Sequence, residues 1–224
     1  MKLDTLNIQD NGIEHLPAFI SKEIIHSLID DIESKKAEHG LRNAQKKLKS
    51  INTLTQSNSI IMLCEKILGK NPKLVRAIYF DKTASKNWLV TWHQDKTICV
   101  NKKYNIPNWG PWTIKDNVHH VQPDIQVLNQ MLTIRIHLDD ADENNGCLKV
   151  IPYSHELGFI KQNDIKSIVT NNSIVNCELK AGDALIMRPL TLHSSSKSLI
   201  PTAHRRVIHL EFCNYDLPTN LAWV

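Results

Sequence analysis

Residues 132–155 of the chain have the sequence LTIRIHLDDADENNGCLKVIPYSH. Two runs rich in β-branched residues, near 131–139 and 147–152, flank a polar segment that ends in Asn145-Gly146. β-Branched residues favour strands, and an Asn-Gly pair favours the turn of a hairpin. The stretch therefore predicts two strands joined by a turn. The acidic segment does not fit an EF-hand calcium loop, because Gly146 is seventh counted from Asp140, where such a loop needs its glycine sixth.

Similar runs extend the strand pattern on both sides. They predict five further strands, near 74–81, 88–95, 174–179, 184–188 and 205–213. Many short strands without helical periods between them are typical of an antiparallel sandwich or barrel. The fold class predicted is therefore mainly β.

The first third of the chain has apolar residues at helical spacing instead. One predicted helix begins after Ser21 and is stopped by Gly40, and a second covers 58–68. We expect a single domain over 1–224, in which a helical N-terminal part, 1–72, packs on a β core, 73–216.

Residues 97–130 show no clear strand pattern and contain three prolines. A loop of that length inside a compact domain usually has a function, so the segment is predicted to be a long loop or lid.

Composition narrows the class of protein. Of 224 residues, 42% are hydrophobic and 22% charged, as in an ordinary globular protein, and the net charge is only +4. The densest basic run, Lys46 to Lys49, is interpreted as a solvated helix face, so no nucleic-acid partner is expected. Five scattered cysteines form no C-x-x-C pair, which argues against a zinc ribbon or a disulfide framework. With neither a membrane-length apolar run nor a signal-like start, a cytoplasmic location is expected.

The first candidate metal ligands lie in the segment Trp92-His93-Gln94-Asp95. Side chains alternate along a strand, so His93 and Asp95 face the same way, about 7 Å apart at Cα, while Gln94 faces the other way. Two histidines and one carboxylate form the facial triad of non-haem Fe(II) oxygenases. His193, which follows the strand near 184–188, is the best candidate for the second histidine. Arg205, twelve residues later, offers the planar fork that grips a carboxylate with two bonds.

The sequence resembles the phytanoyl-CoA dioxygenase family in four segments, which occur in the family's order: 87–95, 132–155, 182–193 and 205–212. The most specific part of the resemblance is NNGCLKVIPYSH at 144–155. The resemblance implies a double-stranded β-helix core, the jelly-roll or cupin-like fold. It implies Fe(II) bound by His93, Asp95 and His193, with 2-oxoglutarate and O2 as co-substrates. Arg205 and Ser195 would bind 2-oxoglutarate, and Thr133 and Arg135 lie on a strand that often lines its pocket.

One departure from the family pattern concerns the arginine. The family usually places it eleven residues after the distal histidine, where this chain has His204. Arg205 is chosen over Arg206 because the strand after it then keeps the family alignment, with one residue inserted in the preceding loop.

Four residues are predicted to contact the substrate: Asn87, Gln94, Trp112 and His120. The long segment 97–130 supplies the last two.

The function expected is hydroxylation of a C–H bond of a small molecule, with release of succinate and CO2. Asp95 favours hydroxylation, because halogenating relatives lack this carboxylate. Two alternatives stay open: a non-catalytic ligand-binding or sensing member of the fold, and a cupin-like metal dioxygenase that does not use 2-oxoglutarate. The substrate and the oligomeric state are not predicted.

Overall fold

The computed structural model describes residues 6–83, 85–199, 204–218 and 220–224. Residues 1–5, the start of the predicted helical part, and 200–203, in the loop with the predicted insertion, lie outside it. The helices are α1 (Ile8–Asn11), α2 (Lys22–Ser34), α3 (Ala44–Lys47), α4 (Lys49–Thr55), α5 (Asn58–Leu68), α6 (Ile125–Asn129) and α7 (Ile165–Asn171). No helix in these ranges is long and apolar enough to cross a membrane.

The strands form three sheets. They are β1 (Ile13–Leu16), β2 (Leu41–Arg42), β3 (Lys73–Lys82), β4 (Val90–His93), β5 (Ile98–Val100), β6 (Trp112–Lys115), β7 (Val118–Val121), β8 (Met131–His137), β9 (Leu148–Val150), β10 (Val175–Cys177), β11 (Ala184–Met187), β12 (His193–Ser195) and β13 (Arg205–Cys213). The major sheet has the order β1-β11-β8-β13-β3-β2, the minor sheet β10-β9-β12-β4, and the third sheet β5-β7-β6.

The two faces of the major sheet differ sharply in chemistry. Residues directly opposite each other in neighbouring strands share a face. One face, the outer face, is apolar and fully buried, and it includes Ile134, Ile136, Ile208 and Leu210. It packs against apolar residues of α2, α4 and α5 in one core, because each helix presents an apolar stripe to it. The opposite, inner face carries polar residues of β8 and β13 and faces the minor sheet.

The N-terminal helices agree with the sequence pattern at two points. Ser21 caps α2 by accepting a hydrogen bond from the Ile24 backbone N–H, and α5 covers the predicted range 58–68. However, α2 ends at Ser34, well before the predicted stop at Gly40, and two short helices, α3 and α4, follow it.

The prediction that residues 97–130 form a long loop is wrong. The segment contains β5, β6 and β7 followed by α6. Its buried residues, among them Ile98, Val100 and Val121, pack with Val127 and with Leu221 from the C-terminal end of the chain. These strands have only three or four residues, and their packing partners are distant in sequence, so no local period indicates them.

Candidate metal centre and adjoining cavity

Three side chains converge where β4 meets β12. His93 ends β4 and lies directly opposite His193, the first residue of β12, and Asp95 follows two residues later. Nε2 of His93 is 3.8 Å from Oδ1 of Asp95, and Nε2 of His193 is 3.8 Å from its Oδ2. One ligand atom from each residue lies within 4.8 Å of the other two, so a single ion can reach all three.

Both histidines are oriented by the same local device. Nδ1 of His93 lies 2.8 Å from the carbonyl oxygen of Thr91, and Nδ1 of His193 lies 2.8 Å from that of Thr191. A carbonyl only accepts, so each Nδ1 carries the proton and each Nε2 presents its lone pair to the centre. Metal-binding histidines commonly show this arrangement.

The electrostatics keep Asp95 and His193 in their metal-binding protonation states. Burial alone would raise the pKa of Asp95, but the interactions of its carboxylate with the surrounding histidines, His193 first, and with Arg76 outweigh burial and lower the pKa to about 2. Burial lowers the pKa of His193 to about 4. At neutral pH the site therefore offers a carboxylate and a neutral imidazole, the forms that bind a cation.

A cavity of about 110 Å³ extends from this centre between the major and minor sheets. Phe80, Trp88 and Leu148 form its apolar walls, and Arg135, Ser195, Arg205 and His209 its polar ones. The metal end is the more open one, because the His93 side chain is 40% exposed whereas Arg205 is 3% exposed.

The buried end of the cavity is strongly cationic. Nε and Nη1 of Arg205 have no hydrogen-bond partner, although both are buried. Ser195 Oγ donates to the Gly146 carbonyl at 2.8 Å and accepts from Lys82 Nζ at 2.9 Å. Burial lowers the pKa of Arg205 to about 10 and that of Lys82 to about 8. Unpaired buried guanidinium N–H groups are costly, and an anion such as a carboxylate compensates them with charge-assisted hydrogen bonds.

Arg135 reaches the cavity from β8 and is part of a buried network. Its Nη1 lies 3.1 Å from Nδ1 of His209, whose Nε2 lies 3.0 Å from Oε1 of Glu211. Glu211 is also bound by Arg76, with Nε at 2.8 Å from the same oxygen. Nε of Arg135 is buried without a partner.

The cavity thus brings together six of the predicted residues and leaves out five. Thr133 is buried in β8, opposite Met187 and Glu211, and does not line the cavity. Gln94 faces away from it, because strand alternation puts it on the back of β4, where its amide bonds to the backbone of Gly158, Ile160 and Leu190.

The other three predicted substrate residues also lie elsewhere. Asn87 bonds through both amide atoms to the backbone of Ser198, and so connects two loops. Trp112 is on β6 and packs in the apolar cluster of the third sheet, and His120 on β7 is buried against Cys99. Trp112 and His120 were predicted to lie in a loop, so the sequence assigned neither of them to a face of a sheet.

Lys82, His209 and Glu211 were not predicted, although one signal for two of them was available. Arg205, His209 and Glu211 occur at even spacing on one predicted strand, and alternation puts them on a single face. Lys82 becomes significant only through its neighbours in space.

The fold and the centre define a class: a double-stranded β-helix protein with a two-histidine, one-carboxylate metal site. The model of the phytanoyl-CoA dioxygenase (PhyH) family matches residues 8–205, and the chain belongs to that family. Membership confirms the predicted cofactor set of the family, Fe(II) with 2-oxoglutarate and O2. No match to a curated protein was found.

Solved structures show the same fold at low identity. The chain is similar to a non-haem alpha-ketoglutarate-dependent carbocyclase, SnoK from nogalamycin biosynthesis, with 15% identity, TM-score 0.72, and coverage of 96% of this chain and 87% of that one. It is also similar to the epimerase SnoN, solved with Fe3+, alpha-ketoglutarate and nogalamycin RO, with 15% identity, TM-score 0.70, and coverage of 92% and 80%. AviO1 from Streptomyces viridochromogenes Tue57 has 16% identity, TM-score 0.68, and coverage of 94% and 93%.

Proposed function

We propose that the chain is an Fe(II)- and 2-oxoglutarate-dependent dioxygenase that hydroxylates a C–H bond of a small molecule and releases succinate and CO2. The observation that supports it best is the presence, in one cavity, of three converging metal-ligand atoms and a buried, unpaired Arg205. The residues present fit both the metal and the co-substrate.

In this proposal His93, Asp95 and His193 bind Fe(II) through the atoms that converge between β4 and β12. Three protein ligands leave coordination positions open, as oxygen-activating iron sites require. When bound, iron with 2-oxoglutarate and O2 supplies an oxidant that removes a hydrogen atom from an unactivated C–H bond.

The chain's own residues position the co-substrate. Arg205 binds the carboxylate far from the metal through its guanidinium group, and Ser195 lies beside it. Ser195 is held by Gly146 and Lys82, so its hydroxyl cannot rotate freely. Phe80 and Trp88 exclude water from the carbon chain that joins the two carboxylates of 2-oxoglutarate.

Hydroxylation is the outcome proposed, because Asp95 occupies the position that a halogenating enzyme leaves to a halide. Structural relatives include a carbocyclase and an epimerase, so the product itself has to be identified.

The test is anaerobic addition of Fe(II) and 2-oxoglutarate to the purified protein, observed through the visible metal-to-ligand charge-transfer band. The wild type should form the band, and His93→Ala should abolish it. Arg205→Gln should weaken 2-oxoglutarate binding about 10- to 100-fold, because a charge-assisted bond contributes about 1.5–3 kcal/mol.

Arg206→Gln is the matched control. Arg206 is adjacent in sequence but points to the other face, where it binds Asp139 at 2.8 Å, so its loss should leave 2-oxoglutarate affinity unchanged. Absence of the band in folded wild type would support instead a binding protein or a dioxygenase that does not use 2-oxoglutarate. A screen for succinate release then identifies substrates.

A further inference from the structure

We infer that the substrate carries a carboxylate and that Arg135 binds this carboxylate beside the metal. The inference rests on the proposed function and adds the chemical class of the substrate to it. The observation behind it is an excess of positive charge in the cavity.

Two cationic side chains line the cavity and a third lies behind it, bonded to the lining residue Ser195; none of the three has a carboxylate partner among the described residues. Lys82, Arg135 and Arg205 are only 1%, 8% and 3% exposed. Their hydrogen bonds go to Ser195, to the Ser196 carbonyl and to His209, all of them uncharged acceptors. Burying a cation away from water is costly unless an anion compensates it.

The acidic groups near them are already occupied, and the one that acts on Arg135, Asp95, belongs to the metal centre. Glu211, on the inner face, forms an ion pair with Arg76 at 2.5 Å. Asp81 and Asp139 are near Arg205 but lie on the other face of the sheet, where they pair with His204 and Arg206 at 2.8 Å. The three cations therefore need an anion from outside the chain.

The co-substrate alone does not supply enough negative charge. A divalent iron ion bound to one carboxylate, Asp95, leaves one further positive charge beside the three cations. A 2-oxoglutarate dianion balances two of these four charges. Two positive charges remain, and an anionic substrate lowers this excess by one charge for each carboxylate that it carries.

The positions of the two arginines assign them to different anions. Arg205 starts β13, whereas Arg135 lies opposite His209, four residues farther along the same strand, about 13 Å away at Cα. Arg205, with Lys82 opposite it in β3, is at the closed end, where the far carboxylate of the co-substrate fits. The carboxylate of the 2-oxo acid end is neutralised by the metal itself. Arg135 is thus left for a molecule that enters at the open metal end.

The network behind Arg135 fixes its orientation. Because Arg135 Nη1 can only donate, His209 Nδ1 accepts, and His209 Nε2 then donates its proton to Glu211. Arg76 holds Glu211 from the other side. His209 is in this sense a positioning residue for Arg135, which lines the cavity and whose Nε is buried without a partner.

The experiment uses the anaerobic protein loaded with Fe(II) and 2-oxoglutarate, with straight-chain C3 to C8 carboxylates and their primary amides as probes. Binding is followed by the change in the charge-transfer band and by calorimetry. In the wild type, at least one carboxylate should bind about 10-fold or more tightly than its amide. In Arg135→Gln this preference should disappear, while the affinity for 2-oxoglutarate changes less than about 3-fold.

Two further variants protect the test. Arg135→Lys keeps the charge and should keep part of the preference, even if Arg135→Gln folds poorly. Arg188→Gln removes an equally buried arginine, whose bonds are to backbone carbonyls of Asn129 and Met131 and to Gln9, and should keep the full preference.

Two results would overturn the inference alone: a wild type without preference for carboxylates, or Arg135→Gln losing 2-oxoglutarate affinity as Arg205→Gln does. A wild type that forms no charge-transfer band would overturn the proposed function as well.

Discussion

At the scale of single residues, burial keeps several imidazoles neutral. His193 is one, as its role in binding a cation requires. His120 on β7 is another: it is 2% exposed, and burial, with Arg76 adding to it, lowers its pKa to about 4. The same physical cause therefore acts at the metal centre and in the third sheet.

This has a consequence for stability in acid. An unfolded histidine has a pKa of about 6.5, so between pH 6.5 and about 4 unfolded His120 binds a proton that the folded form does not. The unfolded state binds more protons in this window, and the free energy of unfolding should fall as the pH is lowered through it. Urea unfolding of the iron-free protein across this range measures the slope.

His120→Asn should make that slope shallower. His26→Asn, on an exposed position of α2, is the control for one histidine fewer. Equal slopes for wild type and His120→Asn would contradict the prediction.

At the scale of elements, β4 is a short strand that positions two of the three metal ligands. It has four residues, yet it holds His93 and leads to Asp95. Its edge pairs with β12, and its back is fixed by Gln94, which accepts from the Ile160 N–H and donates to two carbonyls.

Gln94→Ala should lower the free energy of unfolding by at least about 2 kcal/mol, because each buried polar group left unpaired costs about 1–3 kcal/mol. The folded variant should still form the charge-transfer band, since Gln94 faces away from the cavity. Chemical denaturation and the band are measured together.

Gln162→Ala, at an exposed position, is the comparison for the loss of an amide. Loss of the band with unchanged stability would mean that Gln94 acts in the binding site after all.

The strands that the sequence predicts are those whose residues alternate or are β-branched over a sufficient length. β3, β8 and β13 are of this kind, and β13 matches its predicted range at both ends. β5, β6 and β7 are too short for a period to be visible, and Ile98 is buried by residues far along the chain. Length and local packing thus decide which elements a single sequence reveals.

The site residues also fall into those that the sequence predicts and those that only the folded structure reveals. His93, Asp95, His193 and Arg205 follow from spacing and from residue types that fit one chemistry. Lys82 does not, because its significance depends on being opposite Arg205 in a neighbouring strand. Pairings between distant segments are a property of the folded sheet.

At the scale of the whole molecule, one sheet joins the helical part to the cavity. The apolar face of β8, β11 and β13 shares a core with α2, α4 and α5. Helices and sheet bury each other's apolar surface, so we expect them to unfold together.

Leu210→Ala tests this coupling. Leu210 is fully buried in that core, and its truncation should cost about 2–5 kcal/mol. Far-UV circular dichroism, which reports the helices, and tryptophan fluorescence should show coincident transitions at a lower denaturant concentration.

Met62→Ala on the exposed side of α5 should have little effect, since Met62 is 59% exposed. Transitions that separate in Leu210→Ala would show that the helices are an independent unit.

The opposite chemistry of the two faces of β13 also bears on the residue that is predicted to be inserted in the loop before Arg205. A slip of one position would turn Ile208 and Leu210 into the cavity and press His209 and Glu211 against the helices. So large a penalty fixes the strand in place whatever the length of the loop before it. Insertions and deletions between His193 and Arg205 are therefore absorbed outside the sheet, and the distance in sequence between metal ligand and carboxylate anchor can drift during evolution while their distance in space stays constant.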